Sequence, residues 1–155
     1  MSEALEIRLE PQSLHCVLGG RSLTLPVGPL TLARSITGDP PSPIDLTNAI
    51  GLVADHLDDL DREVPEVLLA PRISLAGHGI PVLADVELGA PASLPIEISR
   101  QAAEEIFRTL ATETAADRSR NPGLSTPWIH DILGTCCALV AVMRHFALDT
   151  IELAA

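Results

Sequence analysis

Alternating apolar and polar residues open the chain and predict a small sheet. Leu5 to Glu10 (LEIRLE) has the two-residue period of a strand with one buried face. Pro11 ends this strand because it has no backbone donor. Ser13 to Leu18 predicts a second strand, and Gly19-Gly20 suits a tight turn into a third strand from Ser22 to Val27. We expect these three strands to form an antiparallel meander.

Helical spacing follows the meander. Pro29 to Ile36 predicts a short helix, and a proline-rich loop (TGDPPSP) comes next. Ser42-Pro43 has the form of a side-chain N-cap followed by proline at the first helical position, which predicts a helix from there to about Glu63. The apolar residues of this helix that are predicted to face the core are Ile50, Val53, Ala54, Leu57 and Leu60.

The rest of the chain alternates strand and helix. We predict strands at Arg72 to Ala76 and Thr150 to Leu153, and an extended or edge segment at Leu94 to Ile98. Helices are predicted at Ile80 to Leu88, from a Ser99 cap to Thr112, and from about His130 to Phe146 after a Thr126-Pro127 cap and first turn. The residues of the Ser99–Thr112 helix that are predicted to face inward are Ala102, Ile106, Phe107 and Leu110. Thr114 to Pro127 is predicted to be mostly loop. The last helix is apolar nearly all round, so we expect it to be buried on several sides.

These patterns predict an α/β fold in which a three-stranded antiparallel meander is followed by alternating helices and strands. At 155 residues, the chain has the length of one domain, and residues 1–155 show no internal repeat or obvious boundary.

Composition narrows the function classes. All ten basic residues are Arg, and the formal net charge is -11. This balance disfavours nucleic acid and an anionic membrane surface as partners, because no basic patch is available to neutralise phosphates. The three cysteines have no ligand spacing, two are adjacent, and no signal peptide or membrane span is evident. We therefore expect a protein of the reducing cytoplasm.

Gly77-His78-Gly79 is the strongest candidate site that the residues themselves offer. It follows a predicted strand and precedes a predicted helix, so its amides could hold an anion at a helix N-terminus. The alternative is a plain strand-to-helix turn that needs glycine for its backbone angles, and short glycine motifs favour this alternative. His78 is the best single candidate for an acid/base or ligand role, because nothing structural requires histidine there.

Other polar residues have simpler explanations. His15 and Cys16 are neighbours on a strand, so they point to opposite faces and cannot form a pair. Cys136 and Cys137 are expected to pack as small apolar groups in the last helix. The acidic residues near His56 are interpreted as a solvated helix face rather than a metal cluster, and no metal site is predicted; they are Asp55, Asp58, Asp59 and Asp61. His130-Asp131 marks a helix start.

The order of these elements resembles the exopolyphosphatase / guanosine pentaphosphate phosphohydrolase (Ppx/GppA) family. LGGRSLTLPVGPLTLARSITGDPPSP is similar to that family's strand–helix passage into a proline loop. NPGLSTPWIHDILGTCCALVAVMRHFALDTIELAA is similar to its late buried helix and final strand. The family belongs to the actin-like ATPase superfamily, whose members have two ribonuclease-H-like halves around a cleft. The resemblance covers nearly the whole chain but only the second half of such an enzyme, and it implies a ribonuclease-H-like fold.

The family's phosphate-binding signature is degenerate here. It has an acidic residue, a glycine run and then Ser-Thr-Glu at the first turn. In register, Arg8 replaces the acidic residue, Glu10-Pro11-Gln12 replaces the glycine run, and Leu14-His15 replaces the threonine and glutamate, while Ser13 remains. Glycine amides can approach a phosphate closely, whereas Glu10 adds negative charge and Pro11 removes a donor.

The resemblance therefore implies a stand-alone half that acts through association with itself or with a separately encoded subunit, and has no phosphohydrolase activity alone. The alternative is a phosphoanhydride hydrolase, or a nucleotide- or phosphate-binding protein, whose site is completed between chains. In that alternative, Glu10 and His78 are the candidate catalytic residues, and Ser13, Gly77, His78 and Gly79 the candidate phosphate ligands. No cofactor is predicted for the chain alone, and Mg²⁺ is expected only if a partner completes the site.

Overall fold

The computed structural model describes residues 4–155, and within that range six strands form one mixed sheet. The strand order is β3-β2-β1-β4-β6-β5. The strands are β1 (Leu5–Glu10), β2 (Ser13–Leu18), β3 (Arg21–Leu25), β4 (Ile73–Gly77), β5 (Ile96–Ser99) and β6 (Thr150–Leu153). The predicted meander is confirmed, because β1, β2 and β3 pair antiparallel in sequence order. β4 adds parallel to β1, β6 adds parallel to β4, and β5 closes the far edge antiparallel to β6.

Six α-helices and one 3₁₀ segment lie within the same described range. They are α1 (Pro29–Ser35), α2 (Pro43–Glu63), the 3₁₀ segment Pro65–Leu69, α3 (Ile80–Leu88), α4 (Arg100–Thr112), α5 (Ala115–Arg118) and α6 (Trp128–His145). The α/β class predicted from the sequence is confirmed. Among residues 4–155, no helix combines the length and apolar character that a membrane crossing requires.

Helix α6 forms the centre of the core. Every residue from Ile132 to Met143 is buried, as the apolar character of the helix predicted. Helices α1, α2, α3 and α4 all pack against it. At Gly134 the backbone of α1 approaches so closely that a Cβ would collide with the carbonyl of Pro29. A glycine inside this helix is thus explained by the close approach of another helix.

The sheet buries alternate side chains on the face that meets these helices. In β1, Leu5, Ile7 and Leu9 are buried, while the three charged residues that alternate with them are exposed. In β2, Cys16 is buried, and His15 lies on the other face, where Nδ1 is 2.9 Å from the hydroxyl of Thr24. The prediction that these two neighbours point apart is confirmed.

Some local predictions were wrong, and each concerns contacts outside the local pattern. Ser42 occupies the N-cap position of α2 without a side-chain cap bond. Pro127, rather than Thr126, is the N-cap of α6, and it cannot cap through its side chain. By contrast, Ser99 caps α4 as predicted, because its hydroxyl accepts a hydrogen bond from Ala102 N at 3.0 Å.

The inward faces of two helices are rotated slightly from the prediction. In α2 the buried residues are Leu46, Ala49, Val53, Leu57 and Leu60, while Ile50 and Ala54 are only half-buried. In α4 they are Ala103, Ile106, Leu110 and Ala111, while Ala102 and Phe107 are half-buried. These shifts of one position follow from the angles at which neighbouring helices cross. The spacing of apolar residues in the sequence does not predict those angles.

The segment predicted as loop between α4 and α6 contains a helical turn and a buried arginine. Thr114 caps α5 by accepting from Asp117 N at 3.1 Å. Arg118 is 2 % exposed and donates to three backbone carbonyls, which are those of Ile129 (2.7 Å), Leu110 (3.1 Å) and Glu113 (2.6 Å). Its guanidinium therefore joins the end of α4 to the start of α6.

We expect Arg118→Met to lower the free energy of unfolding by about 3 kcal/mol, because three carbonyls lose a charged donor in a buried position. Urea denaturation measures this difference. Arg120→Met is the matched control, since the Arg120 side chain is 80% exposed, and we expect it to change the stability little. Equal effects of the two substitutions would contradict the bridging role of Arg118.

Candidate functional site

Two turns meet at one edge of the sheet. Leu9 and Gly77 are partners in the parallel ladder between β1 and β4, and both strands end within one residue of this pair. The amide of His78 then donates to the carbonyl of Leu9 at 2.7 Å. The turn Glu10–Ser13 and the turn Gly77–Gly79 therefore lie side by side at the carboxyl ends of adjacent strands, where open α/β sheets bind ligands.

The β1–β2 turn is a tight two-residue loop. Pro11 and Gln12 form this loop, and neither has a positive φ. The turn is therefore not one of the primed types that two-residue hairpins favour, and proline suits the first central position of an unprimed turn. The carbonyl of Pro11 accepts a hydrogen bond from Leu30 N at 2.9 Å, which fixes the turn to the start of α1.

The polar side chains of this turn satisfy each other. Glu10 and Ser13 are partners in the antiparallel ladder, and the Ser13 hydroxyl donates to Glu10 Oε2 at 3.0 Å. Gly28 lies directly against the backbone of Gln12 and Ser13, where a Cβ would collide. Ser13 is therefore packed from one side and hydrogen-bonded to a carboxylate, which is a poor environment for an incoming phosphate.

Both glycines of the second turn have a structural explanation. Gly77 has φ 98 and Gly79 has φ 83, values that favour glycine. A Cβ at Gly77 would collide with the carbonyl of Leu9, and one at Gly79 would collide with the side chain of Thr135. Helix α3 starts after Gly79 and has Pro81 in its first turn, so that position contributes no amide. These contacts support the plain strand-to-helix turn.

His78 is the least conventional residue of the edge. Its ring packs against Trp128 with centroids 4.8 Å apart, and its carbonyl accepts from the Thr135 hydroxyl at 3.3 Å. Its Nε2 is buried and has no hydrogen-bond partner among residues 4–155. The ring is thus held in place without an acid or base bonded to that nitrogen, and a buried polar atom without a partner is costly.

A Mg²⁺ ion, which the resemblance implies for a complete enzyme, does not fit these two turns. Mg²⁺ is held by carboxylates together with substrate phosphates. Glu10 is the only carboxylate in the turns 10–13 and 77–79, and its Oε2 already accepts from Ser13. The acidic residue expected earlier in β1 is replaced by Arg8.

The cysteines and His130 have structural roles. Cys16, Cys136 and Cys137 are free and buried. Burial raises the pKa of the Cys16 and Cys137 thiols to about 12, and it raises the pKa of the Cys136 thiol further. His130 donates from Nε2 to the carbonyl of Ala33 at 2.7 Å, which links α6 to α1.

The acidic half of α2 contacts a histidine that sequence reasoning missed. His145, at the end of α6, has Nε2 2.7 Å from Asp61 Oδ2 and Nδ1 3.8 Å from Asp58 Oδ1. These three groups are close enough to share a metal ion. The hydrogen bond between His145 and Asp61 already links α6 to α2, so the geometry requires no ion. His145 is 84 residues from Asp61, and no local pattern indicates the contact.

Comparison with known proteins establishes the fold. No protein-family model matches the sequence, and no curated protein matches it. Among solved structures, the chain is similar to an exopolyphosphatase-like protein with TM-score 0.87 and 16% identity over 97% of this chain and 55% of that one. It is similar to the Ppx/GppA enzyme of Aquifex aeolicus with TM-score 0.86 and 17% identity over 99% of this chain and 53% of that one.

An exopolyphosphatase of Cytophaga hutchinsonii gives TM-score 0.82 and 13% identity over 99% of this chain and 53% of that one. The chain therefore spans about half the length of each of these structures. At these identities the likeness concerns the fold, and it confirms the ribonuclease-H-like architecture that the sequence resemblance predicted.

We expect Gly77→Ala to destabilise the protein in the absence of any ligand, by about 2 kcal/mol or more, because it combines an unfavourable φ with a collision against Leu9. Thermal unfolding of the purified variant measures this. Gly20→Ala is the control, since Gly20 has open space around its Cβ position and no positive φ. A Gly77 variant as stable as the wild type would mean that this glycine is not required by the backbone.

Proposed function

We propose that this chain is a ribonuclease-H-like half that acts by associating with a second half, either another copy or a separately encoded subunit, and does not hydrolyse phosphoanhydrides by itself. The observation that carries the proposal is the state of the edge formed by Glu10–Ser13 and Gly77–Gly79. A phosphate-binding edge needs free amides and positive or neutral surroundings. This edge offers Glu10, Pro11 and a serine hydroxyl that is already bonded.

The structural neighbours support the same proposal from a different direction. These neighbours are named as exopolyphosphatases and a Ppx/GppA phosphatase, and this chain matches about half of each. In a two-half architecture the cleft is bounded by both halves, so one half presents only one wall. A wall without catalytic groups retains a structural use, which is to contact the partner that covers it.

His78 favours a second candidate function, an anion-binding or phosphohydrolase site completed between chains. Its Nε2 is buried and unpartnered at the edge where such sheets bind ligands. A group donated by another chain would satisfy this nitrogen. In this candidate, His78 and Glu10 supply acid/base chemistry, and Ser13 with the Gly77–Gly79 turn contacts phosphate.

We expect the purified chain to release no phosphate above background from linear polyphosphate or guanosine pentaphosphate with Mg²⁺, because the one carboxylate of the two turns, Glu10, is already hydrogen-bonded to Ser13. A coupled phosphate assay measures this. Phosphate release that is lost in His78→Ala and retained in His56→Ala would overturn the proposal in favour of the second candidate. Release unaffected by His78→Ala would reject both assignments of this edge.

We also expect the chain to associate. Static light scattering at concentrations from about 1 to 200 μM should give an average mass that rises above that of one chain. A dissociation constant on the order of 10 μM is enough to produce this rise within the concentration range. A constant monomer mass would leave only the form of the proposal in which a different subunit is the partner.

A thermal-shift series with orthophosphate, pyrophosphate and tripolyphosphate separates the two candidates further. A specific ligand raises the melting temperature with its concentration, since it binds only the folded state. Under the first candidate, we expect any shift in melting temperature to be the same in the wild type, His78→Ala and Ser13→Ala. A saturable shift that both substitutions abolish, and that His56→Ala retains, would establish binding at this edge.

A further inference from the structure

The outer face of the first half of α2 has a pattern that nothing else in the described chain explains. Ile44 is 63% exposed and Leu52 is 43% exposed, and they stand eight residues apart on one side of the helix with Asn48 midway between them. Between Asn48 and Leu52 lies Gly51, which is exposed. Glycine in a helix interior is destabilising relative to alanine.

Within residues 4–155, no contact requires glycine at position 51. A Cβ at this position would meet nothing within 4 Å, and the residue has no positive φ. The same protein shows what a helix-interior glycine is for at Gly134, where the backbone of α1 approaches α6 so closely that a side chain would collide. A glycine retained on an open helix face suits the same kind of approach, made by a helix of another molecule.

Charge selects which part of α2 another molecule can approach. Residues 43–54 contain one charged residue, Asp45, and the Thr37 hydroxyl and amide both donate to it. These two hydrogen bonds, the side-chain bond first, lower the pKa of Asp45. Residues 55–63 contain six charged residues. On a chain of net charge -11, a second negatively charged copy meets least repulsion at the uncharged half.

We propose that this face of α2 is the interface for a second copy of the chain, with the two α2 helices antiparallel about a two-fold axis at Asn48. The inference rests on the proposed function and names its partner. A two-fold axis at residue 48 places Ile44 of each copy opposite Leu52 of the other, because the two residues are equidistant from the axis. The small Gly51 allows the helix axes to approach.

The same arrangement pairs charge with the helix dipole. Asp55 of one copy then lies opposite position 41 of the other, beside the N-terminal end of the second α2. That end carries partial positive charge, and its N-cap residue, Ser42, makes no side-chain cap bond. Asp58, Asp59, Asp61 and Glu63 lie past the N-terminal end of the partner's α2, because each pairs with a position of 38 or lower and α2 begins at Pro43. The interface is a single helix pair, so we expect a weak dimer, on the order of micromolar.

The first test places a thiol on the axis. In Asn48→Cys, two introduced thiols face each other, and mild oxidation should give a disulfide-linked dimer on a non-reducing gel, because closely packed helices bring such positions within disulfide range. The native thiols stay silent, since all three are buried and their pKa values are raised by burial. Thr109→Cys, exposed on α4, is the matched control and should remain monomeric on the gel.

The second test blocks the approach at Gly51. Gly51→Gln introduces a long side chain at a position with open space, and glutamine is the better helix former, so the variant should fold with an equal or higher melting temperature. Light scattering should give a dimer dissociation constant at least tenfold higher for this variant than for the wild type. Leu88→Gln, which replaces another exposed leucine on α3, should leave the mass unchanged.

The outcomes separate this inference from the function on which it rests. The α2 interface is overturned, and association remains, if the wild type dimerises and Gly51→Gln dimerises equally well. The same conclusion follows if the wild type dimerises and Asn48→Cys does not cross-link above its control. A wild type that is monomeric at every concentration overturns the inference and the self-associating form of the proposed function together. Cross-linking at residue 48 with loss of the dimer in Gly51→Gln supports both.

Discussion

The parallel pairing of β1 with β4 is the constraint on which the rest of the structure depends. It joins the N-terminal meander to the later strands, and its last pair, Leu9 with Gly77, is so close that neither a Cβ at Gly77 nor a gap between the two turns is possible. The hydrogen bond from His78 N to Leu9 O extends the pairing beyond the strands. The edge where this fold places ligands is therefore rigid, and its chemistry is decided by the few side chains present there.

Much of the fold could be predicted from the sequence because strong periodicity reflects one-sided burial. The alternation in Leu5–Glu10 and the all-apolar helix that became α6 each allowed one arrangement, a half-buried strand and a helix enclosed on several sides. The strand order was not contained in these patterns. Nothing local to β6 indicates that it lies next to β4 rather than at an edge.

The wrong predictions concern groups whose partners are distant in the chain. Thr37 donates to Asp45 and thereby fixes the start of α2, while the predicted cap, Ser42, makes no such bond. Arg118 is charged, which at the sequence level indicates exposure, yet it is buried because three carbonyls at the ends of α4 and α6 converge on its guanidinium. His145 reaches Asp61 across 84 residues. The candidate turns were located correctly because each is a local feature, but the packing of Gly28 on Ser13 was not visible until the fold was known.

Packing within the chain explains most of the glycines discussed above, but it does not explain Gly51. At Gly28, Gly77, Gly79 and Gly134 a side chain would collide with backbone or with Thr135, so the fold itself requires glycine there. The two turn glycines consequently lose their value as evidence for a phosphate site, although at the sequence level they were the strongest sign of one. Gly51 shows the reverse, since no sequence pattern singles it out and a Cβ there would meet none of the residues 4–155 within 4 Å. Among residues 4–155 no contact compensates the cost of this glycine in helix stability, and the proposal of a second copy on α2 rests on this cost together with the exposed Ile44 and Leu52 on the same face.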